Sequence, residues 1–235
     1  MCTGRTHSAS GAVLGLAAGI VLRKAVPADF ALSGFTAGMA LLPDLDSCGS
    51  CASRSLGFIS GALSHVIRKV TGGHRHGSHS LAGIAVFTGL AVLACWFRRD
   101  YAGMAGLALL LVIAVAGAVE ALHLARSHVA DAAGVAVAAA VIWHGYGLPL
   151  IPLAVLLGCT VHGVFDSMTG SGVNWLWPWQ RRFHVLPRPL QFTTGTRPET
   201  LIVFPLLVLA LAVLAVQAAD PALLASGWHA AVSRL

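Results

Sequence analysis

Four apolar runs, each long enough to cross a lipid bilayer, constrain this chain more than any other feature. They are roughly Ser80–Phe97, Ala102–Leu122, Val129–Trp143 extending to Tyr146, and Leu201–Ala219. A helix crossing a bilayer needs about 20 predominantly apolar residues. Leu148–Phe165 is a fifth run, weaker at its polar end. Ser10–Leu22 and Phe30–Leu42 are short, and read either as two thin spans or as one re-entrant helical hairpin. Gly11, Gly15 and Gly19 recur every four residues, so they line one helix face and permit close packing.

The composition agrees. Charged residues make up 10% of the 235 residues and hydrophobic ones 57%, against about 25% charged in a soluble domain. The expected fold is all-α, a polytopic integral membrane helical bundle with five to seven membrane segments. Residues 1–200 form its core, including the loops 44–79 and 166–200, and residues 201–235 supply a C-terminal transmembrane helix and tail. The net charge is +6. In a membrane protein such charge reports topology and contact with anionic lipid. No basic run is interleaved with stacking aromatics, so nucleic acid is not an expected partner. The N-terminus loosely resembles a signal peptide, but Arg23-Lys24 follows the apolar run where a cleavage site is small and uncharged, so the segment is expected to be retained.

Tracing the runs back and forth places His7, Asp44–His79, Arg126 and the 166–200 segment on one side. That side carries ten Lys/Arg (Arg5, Arg54, Arg68, Lys69, Arg75, Arg126, Arg181, Arg182, Arg188, Arg197). The opposite side carries five (Arg23, Lys24, Arg98, Arg99, Arg234). The positive-inside rule makes the richer side cytoplasmic, in what is expected to be a bacterial plasma membrane.

On that side lie the residues that carry chemistry. His162 and Asp166 are four apart near a helix end and share a face, at chelating separation or as a structural hydrogen-bonded pair. Asp44 and Asp46 flank Leu45 after Pro43. In an extended segment they point the same way and repel unless a cation lies between them; a solvated turn is the plainer alternative. His74, His76 and His79 fall within six residues, with Ser78 or Ser80 as a helix cap. Imidazoles so gathered suit a metal, or a basic surface loop. Arg75 among them suits a substrate phosphate or carboxylate. His7 joins by its side assignment alone.

Other features are less specific. Glu120 and His123 share a face, with His128 and Asp131 near by, in a functional or interfacial role. Cys48-Gly49-Ser50-Cys51 is a lone CxxC, redox-active, half a zinc site or neither. Cys95 and Cys159 lie in apolar runs as packing residues, and the odd count of five gives no disulfide framework. Residues 55–70 read as an amphipathic helix on the membrane surface or over the site. Trp175 through Phe183 reads as an interfacial anchor, with Arg181 or Arg182 as a further anionic-substrate clamp.

The order Thr6-His7, Leu42-Pro43-Asp44-Leu45-Asp46, His74-Arg75 with Ser78-His79-Ser80, His162 and Asp166, Thr169 with Gly172-Val173, and Trp177-Pro178 with Arg181-Arg182-Phe183 resembles the YdjM-type family of LexA-regulated, membrane-bound, metal-dependent hydrolases. The likeness covers roughly residues 3–185. Ser78 stands where the family usually has Thr, and keeps the hydroxyl. The resemblance implies a hydrolase without naming a substrate.

The expectation is therefore a membrane hydrolase using metal-activated water on a phosphoester or other ester at the membrane surface, with membrane lipid or an anionic lipid-borne molecule as partner. The expected ligands are His7, Asp44, Asp46, His74, His79, His162 and Asp166, holding one or two ions of zinc or manganese. Arg75 would stabilise developing negative charge, and Asp46 is a candidate general base. The alternative is a non-enzymatic protein that binds metal for transport or structure.

Overall fold

The computed structural model describes residues 3–22 and 25–220. Cys2, Arg23, Lys24, Arg234 and the tail beyond residue 220 lie outside the described residues. The described chain is a helical bundle: α1 (Gly4–Val21), α2 (Val26–Met39), α3 (Cys51–Arg54), α4 (Phe58–Thr71), α5 (Leu81–Trp96), α6 (Tyr101–Ala121), α7 (Ser127–His144), α8 (Ile151–Ser167) and α9 (Phe204–Ala219). Helices satisfy their own backbone hydrogen bonds, which hydrocarbon cannot do for them. Among the described residues, extended pairing is confined to two isolated bridges, Thr169 with Phe192 and Val173 with Phe183.

Four helical stretches are long and apolar enough to cross a membrane: Tyr101–Ala121, Ser127–His144, Leu148–Ser167 and Glu199–Ala219. They match four of the expected runs closely. The run expected at Ser80–Phe97 is a shorter apolar helix of 16 residues, Leu81–Trp96, because Ser80 accepts a hydrogen bond from Gly83 N (3.1 Å) and caps it.

The two short N-terminal segments form a tight antiparallel pair. A Cβ on Gly11 would meet Thr36 O at 2.5 Å, one on Gly15 would meet Leu32 O at 2.7 Å, and one on Gly19 would meet Asp29 Oδ1 at 2.7 Å. The glycine stripe therefore faces α2, as its spacing implies. On the other side of α2, Gly158 of α8 repeats the device, since its Cβ would sit 2.6 Å from Ala40 N. These contacts bring three helices to backbone distance, with Leu16, Leu32, Met39 and Ile151 filling what remains. α9 packs along α1.

One local expectation is corrected. Pro43–Asp46 is a turn of 3-10 helix, not an extended segment. Pro43 at its first position has the backbone angle a helical turn needs. Asp44 and Asp46 therefore leave the chain in different directions.

Candidate metal centre

α1 starts, α2 ends, α5 starts and α8 ends at the same end of the bundle. His7, Asp44, Asp46, His79, His162 and Asp166 converge there, each at most 3% exposed. Three overlapping groups offer ligand atoms within 4.8 Å of one another: Asp44, Asp46, His74 and His79; His7, Asp44 and His162; and His79, His162 and Asp166.

His79 Nε2 and His162 Nε2 are 3.0 Å apart, and each is 3.6 Å from Asp166 Oδ2. Ligand bonds of about 2.1 Å arranged tetrahedrally would give edges of about 3.4 Å. Asp44 Oδ1 approaches to 3.8 Å from both imidazole nitrogens. The ring of His7 stacks on His162 at 3.7 Å, and its Nε2 lies 3.4 Å from Asp166 Oδ1.

The hydrogen bonds behind the triad set its tautomers. His162 Nδ1 donates to the Ala40 carbonyl at 2.6 Å, because a carbonyl oxygen only accepts. In the neutral ring its Nε2 then carries a lone pair. His79 Nδ1 faces Ser78 Oγ at 3.1 Å and Asp46 Oδ2 at 3.3 Å, so its proton belongs there and its Nε2 is also a lone pair. Burial lowers the His79 pKa, and Asp46 offsets only part of that. With both rings neutral, two lone pairs face each other across 3.0 Å and repel unless a cation lies between them; with one ring protonated the contact is an N–H···N hydrogen bond. Outer partners of this kind commonly orient metal-binding histidines.

Asp46 stands behind His79. Its Oδ1 accepts from His74 Nδ1 at 2.5 Å, and its Oδ2 accepts from Ser78 Oγ and from Arg75 N at 3.2 Å. Burial would raise its pKa, but the hydrogen bonds from His74 and His79 outweigh it and hold the carboxyl well below the usual range. The two aspartates are thus separated by the His79 ring, with Asp44 near Nε2 and Asp46 near Nδ1. This replaces the expectation of two parallel carboxylates. His74 Nε2 is buried with no hydrogen-bond partner.

Arg75 lies inside the cluster, but its guanidinium faces protein. It donates to Asp166 Oδ1 at 2.8 Å and to Thr169 Oγ1 at 2.9 Å. Its backbone is left-handed (φ 62°), a conformation uncommon outside glycine, and bonds from its N to Asp46 and from Asn174 N to its carbonyl hold it there.

The donor set fits a divalent cation. Buried polar atoms are nearly always paired. Here both ring nitrogens of His7 and Asp44 Oδ1 have no hydrogen-bond partner, and His7, Asp44 and His162 each offer a ligand atom within 4.8 Å of the others.

Several residues that sequence reasoning missed support this point. The Ala40 carbonyl orients His162, and no side-chain signal marks a backbone acceptor. Of the two serines offered as a cap, Ser80 takes that role and Ser78 binds Asp46. Glu199 is buried and accepts from Thr3 N at 2.6 Å, Thr3 Oγ1 at 3.0 Å and Gly195 N at 2.7 Å. It thereby places a carboxylate at the N-terminus of α1, where the helix dipole favours negative charge, one turn before His7. Its only sequence signal is an acidic residue directly before an apolar run.

Other candidates are not brought in. Arg182 donates to Ser171 O at 2.8 Å and Arg181 lies over Phe183, both exposed. Trp175, expected as an anchor, donates to Ser167 Oγ at 2.8 Å and covers Gly163, closing the end of α8. Glu120 pairs with Arg54 at 2.7 Å. Cys48 and Cys51 are free thiols, and Cys48 Sγ lies 3.9 Å from His65 Nδ1. None of these, nor His123, His128 or Asp131, belongs to the candidate ligand groups among the described residues.

A model described as YdjM inner membrane protein matches residues 1–223 of the chain. No curated protein and no solved structure matches it.

Proposed function

This chain belongs to the YdjM inner membrane protein family, and from that premise we propose that it is a membrane-bound, metal-dependent hydrolase of a phosphoester or other ester at the membrane surface. The observation that carries the reading is the buried triad of His79, His162 and Asp166, with the two imidazole Nε2 atoms 3.0 Å apart. His79, His162, Asp166 and Asp44 would hold the first ion. His7 and His74, each with an unpartnered ring nitrogen, extend the set toward a second. Mixed nitrogen and oxygen donors suit zinc or manganese. When bound, such an ion polarises an ester oxygen and lowers the pKa of a water.

The other residues orient these. Asp46 and Ser78 fix the His79 tautomer, and the Ala40 carbonyl fixes that of His162. Arg75 steers Asp166 so that Oδ1 is engaged and Oδ2 faces the imidazoles. Its role is positioning, with charge stabilisation by its remaining N–H groups as the further part of the proposal. The Lys/Arg bias supports a cytoplasmic placement for this end of the bundle.

A structural role for the metal is the second reading. It is favoured by the way the cluster ties four chain segments together. The test is elemental mass spectrometry on purified protein beside a His79→Ala/Asp166→Ala variant, followed by turnover of phospholipid and water-soluble phosphoesters. Near-stoichiometric metal and turnover, both lost in the variant, support the hydrolase. Metal loss that unfolds a protein with no turnover supports the structural reading. Equal metal in both proteins overturns the site.

A further inference from the structure

A cavity of about 750 Å³ opens beside the metal cluster and runs between α4, α5 and α6. Gly77 and Ser78 line its end nearest the cluster, Ser78 being the residue that binds Asp46. Leu42 and Leu45, on either side of the segment bearing Asp44, form one lip. The far end is at Phe97, beyond the last turn of α5. From Leu81 to Phe97 the helix rises about 24 Å at 1.5 Å per residue. The cavity therefore leads from the metal cluster down the length of a membrane helix.

Its walls are almost entirely apolar. On α4, Leu63, Val66, Ile67 and Val70 face it at spacings of three and four, so the apolar side of this amphipathic helix is turned to the cavity. α5 contributes Phe87, Leu90 and Ala94, and α6 contributes Gly106, Leu109 and Ile113. The cavity's volume lies in the range of about 300–1,000 Å³ that small-molecule sites occupy. A long, narrow, apolar space with a polar reactive end fits a molecule with an alkyl tail and a hydrolysable head.

We propose that this groove holds one acyl chain of the substrate, so that the ester presented to His79, His162 and Asp166 belongs to a membrane lipid. The proposal rests on the hydrolase reading for the word substrate, and on the groove alone for the acyl chain. α4 forms one wall, and Ala94 of α5 and Gly106 of α6 line the groove toward its far end. A Cβ on Gly106 would lie 3.5 Å from Ala94 Cβ, so the two face each other closely.

The test uses the full chain in nanodiscs of phosphatidylglycerol doped with phosphatidylglycerol carrying a diazirine at the end of one palmitoyl tail. After photolysis, adducts are mapped by peptide mass spectrometry. Labelling is expected to concentrate on the groove faces of α5 and α6, around Leu90, Ala94 and Leu109, above that on the outward Leu206 and Leu209 of α9. In an Ala94→Phe/Gly106→Leu variant the groove adducts should fall about tenfold, equivalent to ~1.4 kcal/mol, with those on α9 unchanged. Wild-type adducts spread evenly over α9 and the groove would overturn the proposal, whether or not the variant folds. So would undiminished groove labelling in a folded variant. Turnover separates the two ideas. Groove labelling without hydrolysis of any ester keeps the acyl site and removes the hydrolase. Hydrolysis without groove labelling does the reverse. If both hold, the filled groove should abolish the preference for long-tailed over short-tailed esters.

Discussion

α8 and the helix that ends in α9 are alike in sequence and opposite in the structure. Both are about 20 residues long and apolar enough to span, and the C-terminal one is the more hydropathic. Yet α8 sits at the centre, with Ile151, Ala154, Val155, Gly158, Cys159 and His162 buried, whereas α9 buries only Ala218. The difference comes from what each helix offers other than oil. Lipid tails are as apolar as leucine, so hydrophobicity does not draw one span to another. α8 offers a glycine for backbone contact with α2 and a polar end that needs partners. α9 offers leucine and valine on every side, and Glu199 in the turn before it is the polar group that reaches inward.

The sharpest way to break this contrast is at the polar end of α8. Asp166→Asn should remove the carboxylate facing both imidazoles and the ion pair with Arg75, and so abolish metal binding and any turnover. Metal content of the purified variant checks it, and full metal occupancy would show that Asp166 is not a ligand. Next comes the glycine contact. Gly158→Val would drive side-chain atoms into Met39 and Ala40 backbone, and should cost at least about 3 kcal/mol, the upper part of the overpacking range. Thermal unfolding in detergent measures this. Unchanged stability would mean that α2 and α8 do not approach as closely as described.

Glu199 tests the one inward feature of the C-terminal helix. Glu199→Ala leaves Thr3 N and Gly195 N without their acceptor and should cost about 1–3 kcal/mol. Because Glu199 caps the turn before His7, the variant should also bind metal more weakly than the wild type. The smallest effect belongs to the lipid-facing surface. Leu209→Ala, at a side chain 60% exposed, should change stability by less than about 0.5 kcal/mol. A larger loss would mean that a partner covers α9.

The cluster itself was legible to an unusual degree, for a reason visible in the chain. His7, Asp44, His79, His162 and Asp166 each stand where an apolar run meets polar residues, so alternation of sides sufficed to put them at one end. Orientation was not legible. Nothing in Leu42-Pro43-Asp44-Leu45-Asp46 separates an extended strand from a 3-10 turn, because Pro43 suits both. The turn sends Asp44 to one nitrogen of His79 and Asp46 to the other. Arg75 likewise reads as a free cation until Asp166 and Thr169 are placed beside it.

The sequence by itself determined that this chain is helical and embedded in a membrane, and which ends of its helices share a side. Run length and alternation suffice for that, since both are properties of one segment and its neighbours. Only the tertiary structure decided which carboxylate meets which imidazole nitrogen, that Glu199 caps α1 from 196 residues away, and that α4, α5 and α6 leave an apolar groove beside the cluster. Those depend on distances between segments remote in the chain, which backbone contacts at Gly11, Gly15 and Gly158 set and no local pattern encodes.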